Sequence, residues 1–98
     1  MKYLSNGFSA NMVDPSITLF ALNARRIERE EIPQDAQSCI GHQDLATILG
    51  VEFNRCNLVL KSGDTLFVAQ YRGPRLPEGA TEMPDGSTIE FWEYKLLA

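Results

Sequence analysis

Basic charge is scarce in this sequence. Nine Lys and Arg stand against thirteen Asp and Glu, for a net charge of −4. Nucleic-acid affinity grows with the number of phosphates neutralised, so this balance argues against a general DNA or RNA binder. It leaves room for a small anion held by a few placed arginines. Long apolar runs are also missing. None approaches the roughly 20 residues that cross a bilayer, and Met1-Lys2-Tyr3-Leu4-Ser5-Asn6 has no signal-peptide core. A cytoplasmic protein with no membrane partner is expected. Cysteine occurs twice, as Cys39 and Cys56, and in that compartment the pair is expected to be two ordinary buried thiols. With His42 three positions after Cys39, they make at most three zinc ligands without paired-cysteine spacing. No metal and no cofactor are expected.

What remains is enough for one domain. Residues 1–98, at 44% hydrophobic, can bury a core, though a chain this short buries only a modest share of its surface. Pairing with a second copy would add to it. The chain has no repeats, no low-complexity run and no linker. Lys2–Leu4 is a short strand, followed by a small polar loop, Ser5–Asn11, whose amides and side chains suit an anion. Ile17–Leu22 is β-prone, with a Ser16-capped helix as competitor. Asn23 is placed to cap a short charged helix through Glu31, ended by Pro33. Asn57–Lys61 and Thr65–Gln70, joined by Ser62-Gly63-Asp64, have the pattern of a hairpin, with Leu58 and Leu60 on the core side. Residues 71–79 hold two prolines and two glycines and are expected to be irregular. Pro84-Asp85-Gly86 turns, and Thr88–Lys95 alternates as a last strand. The fold class is therefore α+β: a mixed sheet of four to six strands with one or two helices on one face, leaving the other face or an edge for a twofold partner.

Ser38–Gly50 organises the rest. Cys39 and Ile40 finish a strand and Gly41 makes the corner. Leu45, Ile48 and Leu49 then recur at helical spacing, and Gly50 suits the left-handed position after a helix. His42, the one histidine, opens this helix. Amides of a first helical turn lack intrahelical partners and suit a phosphate, and imidazole titrates near neutral pH, so a phosphate seat beside a proton donor is one reading. A capping histidine is the commoner role for such a residue. Downstream, Arg75 offers a planar fork for phosphate oxygens on a loop stiffened by proline. Glu78 can orient an arginine or accept from a ribose hydroxyl.

Four stretches in this order carry a resemblance: Leu4-Ser5-Asn6 with Ser9, Ile40-Gly41-His42-Gln43, Asn54-Arg55, and Arg75-Leu76-Pro77-Glu78-Gly79. A closing aromatic strand, Glu90-Phe91-Trp92-Glu93, also fits. Together they resemble the viral ring nucleases, small proteins of archaeal viruses and phages that act as type III anti-CRISPR enzymes. The interval from His42 to Arg55 is shorter than in that family, and Tyr71-Arg72-Gly73-Pro74 looks like a small insertion. The resemblance implies a homodimer that binds a cyclic oligoadenylate, usually cyclic tetra-adenylate, and cuts it without metal. It implies His42 as general acid, with Arg75 and Glu78 assisting. Asn6, Ser9, Gly41 and Arg55 are implied as ligand contacts, with Gln70 and Arg72 less directly matched. Two other expectations stand beside it: a module that sequesters the cyclic nucleotide uncut, and a viral protein that binds a host protein through its sheet edge.

Overall fold

The computed structural model describes residues 1–14 and 22–96. Among the described residues, five strands and one α-helix follow in the order β1 (Lys2–Ser5), β2 (Leu22–Ile27), β3 (Gln37–Cys39), α1 (Gln43–Leu49), β4 (Thr65–Arg72) and β5 (Thr88–Leu96). The strands make one sheet, ordered β2-β5-β4-β1-β3. β1 runs parallel to both β3 and β4, while β5 is antiparallel to β4 and β2. The expected α+β class with a mixed sheet is therefore what forms. Because β1, β3 and β4 share one direction, Asn6, Gly41-His42 and the segment after Arg72 all leave the same edge of the sheet.

Both faces of the sheet are covered. β4 lies between β1 and β5 and carries the unbroken apolar run Leu66-Phe67-Val68-Ala69, all buried, as a strand covered on two sides requires. Alternation sends Phe67 and Ala69 to the face that packs Leu4, Ile27, Ile32, Ile40, Leu45 and Ala46. Leu66 and Val68 go to the other face, with Val13, Leu60 and Leu96. That second face is not left open, as the sequence suggested. Phe8, Met12 and Leu58 also pack on it, and the Phe8 ring stacks on Tyr94 with centroids 4.9 Å apart.

Several expected elements differ. The charged helix over Asn23–Glu31 is instead β2 followed by a 3-10 turn at Arg29–Glu31. β2 pairs with β5 from Leu22↔Leu96 to Ile27↔Phe91, and Arg25 Nε lies 2.8 Å from the facing Glu93 carboxylate, so tertiary pairing overrides local helix propensity. The expected hairpin does not form, because both edges of β4 are taken by β1 and β5. Leu60 instead bridges Val13 in parallel and is buried, while Leu58 is half-buried. β4 continues through Tyr71 and Arg72 before the irregular stretch begins. Asn54-Arg55, which the resemblance places at the entry to the next strand, enters none; only a Phe53↔Ile40 bridge forms there. In α1 the inward stripe is Leu45, Ala46 and Leu49 rather than one that includes Ile48. The element expected over 17–22 lies outside the described residues apart from Leu22.

Candidate active site

The corner that holds His42 is framed by the segment after α1. Residues 52–56 run beside β3 and are laced to it. Ser38 Oγ donates to the Glu52 carbonyl (2.6 Å), Asn54 N–H to the Ile40 carbonyl (3.0 Å) and Asn54 Nδ2 to the Ser38 carbonyl (3.0 Å). Arg55 Nε donates to the Gly41 carbonyl (3.1 Å), and Gly41 N–H donates to Asn6 Oδ1 (3.2 Å). Gly41 is thus the point where three chain segments meet. A Cβ there would lie 3.4 Å from Arg55 Cγ and 3.9 Å from Asn6 Oδ1. Those are ordinary van der Waals distances, and Gly41 has no positive φ, so neither crowding nor a left-handed backbone requires glycine here. Cys39 and Cys56 are not separate thiols but a disulfide, across a Cα–Cα distance of 5.7 Å. The lacing sets the two side by side, which their 17-residue separation hid in the sequence.

His42 is the N-cap of α1. Its backbone is extended (φ −122°, ψ 115°), and Nδ1 accepts from Leu45 N–H at 3.2 Å. An accepting Nδ1 puts the ring proton on Nε2. The His42 carbonyl takes Ala46 N–H at 3.0 Å. That bond is the helix's own first one; of the four earlier amides that a helix leaves unpaired, Leu45 N–H is taken by the His42 ring, and Asp44 adds a carboxylate to the same turn. In this seven-residue helix the Asp44 carboxylate stands against an anion at the remaining first-turn amides, and Arg75 is the cation that lines the adjoining hollows.

The loop after β4 is pinned along its length. Tyr71 OH donates to the Pro74 carbonyl. Leu76 packs on the apolar cluster that includes Leu45 and Phe67. Ala80 N–H closes a turn onto the Pro77 carbonyl at 3.1 Å, with Gly79 at φ 79° in its third position, a conformation that favours glycine. Glu78 stands on this turn, and Gly79 N–H donates to Asp44 Oδ2 at 3.3 Å.

Two hollows share His42, Arg75 and Leu76 as walls. One, about 540 Å³, is completed by Asn6, Leu45, Gln70, Tyr71 and Gly73. The other, about 460 Å³, is completed by Asp44, Pro77 and Glu78. In the first, Arg75 and His42 stand beside the Asn6 and Gln70 amides and the Tyr71 ring, and the second brings in two carboxylates. Of the nine residues singled out in the sequence, His42, Arg75, Glu78, Asn6 and Gln70 line these hollows. Gly41 and Arg55 stand behind them as part of the corner frame. Ser9 does not line them; its hydroxyl accepts from Asn11 N–H (3.3 Å) at a 3-10 turn over Ala10–Met12. Arg72 does not either, because its Nε lies 3.2 Å from Glu90. The Glu90 carboxyl is held below its ordinary value by the Trp92 indole N–H and by Arg72 and Arg26, against a smaller opposing effect of burial. Asp44 and Tyr71 were not singled out. An acid in a first helical turn reads as ordinary dipole compensation, and Tyr71 reads as loop. Among the described residues, no group of three or more His, Cys, Asp or Glu side chains gathers as a metal would need, and no helix is long and apolar enough to cross a membrane.

The fold and the hollow together define a small α+β protein with one mixed sheet and a ligand-sized recess outside the carboxyl ends of its parallel strands, where open sheets commonly bind. No protein-family model matches the chain, and no curated protein matches it. Among solved structures it is similar to B116 of Sulfolobus turreted icosahedral virus, with a TM-score of 0.70 over 95% of this chain and 97% of that one. The two are 22% identical, so the likeness is one of fold.

Proposed function

We propose that the protein is a ring nuclease, a viral homodimer that binds a cyclic oligoadenylate across its twofold axis, cuts it without a metal ion, and so opposes type III CRISPR signalling in its host's cytoplasm. Cyclic tetra-adenylate is the preferred ring. The observation that carries this reading is that His42 and the Arg75–Glu78 loop, more than thirty residues apart in sequence and singled out together by the family resemblance, line one hollow. The fold likeness to a Sulfolobus virus protein agrees with a family of small archaeal-virus and phage proteins. Size supports the dimer. A hollow of about 540 Å³ suits one drug-sized unit, which is about one nucleotide, so a ring of four exceeds it and is compatible with a site completed by a second copy. A twofold axis would offer equivalent phosphates to two equivalent sites.

The chemistry follows from the ligand. An RNA phosphodiester carries its own nucleophile, the 2′-OH beside the scissile phosphate. In-line attack by the 2′-oxygen, whose proton passes to solvent, forms a 2′,3′-cyclic phosphate and breaks the bond from phosphorus to the 5′-oxygen, which leaves needing a proton. His42 supplies that proton, Arg75 faces the phosphate oxygens, and Glu78 orients the arginine or a ribose hydroxyl. Proton transfer draws on the imidazolium ring, whose Nδ1 carries a hydrogen and cannot accept from Leu45 N–H.

A second reading, sequestration without cleavage, is favoured by one fact: Nδ1 of His42 is already used as the cap acceptor. Incubating labelled cyclic tetra-adenylate with the protein in chelator separates the two. Linear product from wild type, and an intact but bound ring with His42→Ala, is the expected outcome. An intact ring with wild type means sequestration. Cleavage at the wild-type rate by the variant ends the proposed mechanism.

A further inference from the structure

We infer that Asp44 is the positioning residue that latches the Arg75–Glu78 loop to the helix carrying His42. The inference rests on the proposed nuclease reading for its catalytic consequence, though not for the latch itself. His42 and Arg75 belong to different parts of the fold. His42 leaves the end of β3, and Arg75 follows the end of β4, with β1 lying between those two strands. Leu76 joins the two parts through apolar packing, which resists separation but is non-directional and does little to fix angle.

The hydrogen bond from Gly79 N–H to Asp44 Oδ2, at 3.3 Å, supplies direction. It runs from the loop's closing turn to the first turn of α1, two residues from His42. Gly79 adopts φ 79°, which helps set where its N–H points, and Glu78 rides on the same turn. Asp44 is half-buried and lines the hollow with the three residues it would align. Its charge alone would oppose a bound phosphate beside Arg75, so a role in anion binding is a poor account of it. An acceptor that holds the loop in register fits the contacts it makes.

Two variants divide acceptor from charge. Asp44→Asn keeps a carbonyl oxygen for Gly79 N–H and removes the charge, whereas Asp44→Ala removes both. The first readout needs no activity: limited trypsin digestion of the native protein, scored at the Arg75-Leu76 bond. Loss of one charge-assisted hydrogen bond of this kind should raise that nicking about fivefold to tenfold in Asp44→Ala, and Asp44→Asn should recover most of the difference. The second readout is single-turnover cleavage of labelled cyclic tetra-adenylate beside its dissociation constant. Asp44→Ala should slow the cut about tenfold while binding changes less than about threefold, and Asp44→Asn should restore the rate. Equal nicking in all three proteins overturns the latch. So does a loss in Asp44→Ala that falls on binding alone, or that Asp44→Asn fails to recover. If wild type does not cut the ring, the nuclease reading fails and the trypsin comparison decides the latch by itself.

Discussion

Breaking the Cys39–Cys56 bond should cost the protein about 3 kcal/mol of stability. The bond spans 17 residues of sequence. In the chain-entropy account, opening a loop of that length returns roughly 10 cal/mol/K to the unfolded chain, which is about 3 kcal/mol at 25 °C. Small domains have only about 5–15 kcal/mol in total, so the effect is large. The folded state should persist nonetheless. The hydrogen bonds from residues 52–55 to Ser38, Ile40 and Gly41 do not depend on the sulfurs, Cys39 is buried as a free thiol tolerates, and Cys56 is exposed. The assay is equilibrium urea unfolding of oxidised wild type, wild type in excess dithiothreitol, and Cys56→Ser. The last two should unfold at the same, lower urea concentration. They should also show a steeper dependence on urea, because an uncrosslinked unfolded chain exposes more surface. Coincident curves for all three would refute the reasoning and mean that the sulfurs are unbonded in solution.

Gly73 sits at φ 138°, and a Cβ there would lie 2.8 Å from Ser87 Cα. Gly73→Ala should therefore lower the urea midpoint by the equivalent of about 2 kcal/mol or more, and wild-type stability would contradict the close approach. The Glu90 carboxyl is held below its ordinary value by Trp92, Arg72 and Arg26, so it stabilises the fold above the usual carboxylate range and loses that effect as pH falls through its folded value. Glu90→Gln should thus be less stable than wild type at pH 7, with the gap closing on acidification. A gap that widens toward low pH would reverse the sign.

Some of this fold was visible in the sequence and some was not, and the division follows distance along the chain. α1, its start at His42 and its stop at Gly50 (φ 72°) rest on interactions within a few residues and were readable. β5 was readable from its alternation. β2 was not, because what makes it a strand is β5, and Arg25 finds Glu93 68 positions away. The alternation at Asn57–Lys61 marked an extended, half-buried segment without saying what it would lie against. The same limit governs the site. Residue type pointed to His42, Arg75, Glu78, Asn6 and Gln70, which gather at two hollows. It could not show that Arg72 pairs with Glu90 or that Arg55 Nε donates to the Gly41 carbonyl. Nor could it assign a contact to Asp44, whose partner Gly79 lies 35 residues on.

The most direct test of the account is His42→Asn. Asparagine caps a helix as well as any residue, so this variant keeps the support of α1 while losing the proton. With labelled cyclic tetra-adenylate in chelator, it should bind the ring within a few-fold of wild type and cut it roughly 10²–10⁴-fold more slowly. Cleavage by the variant at the wild-type rate would mean that His42 serves only as a cap, and the proposed chemistry would be wrong.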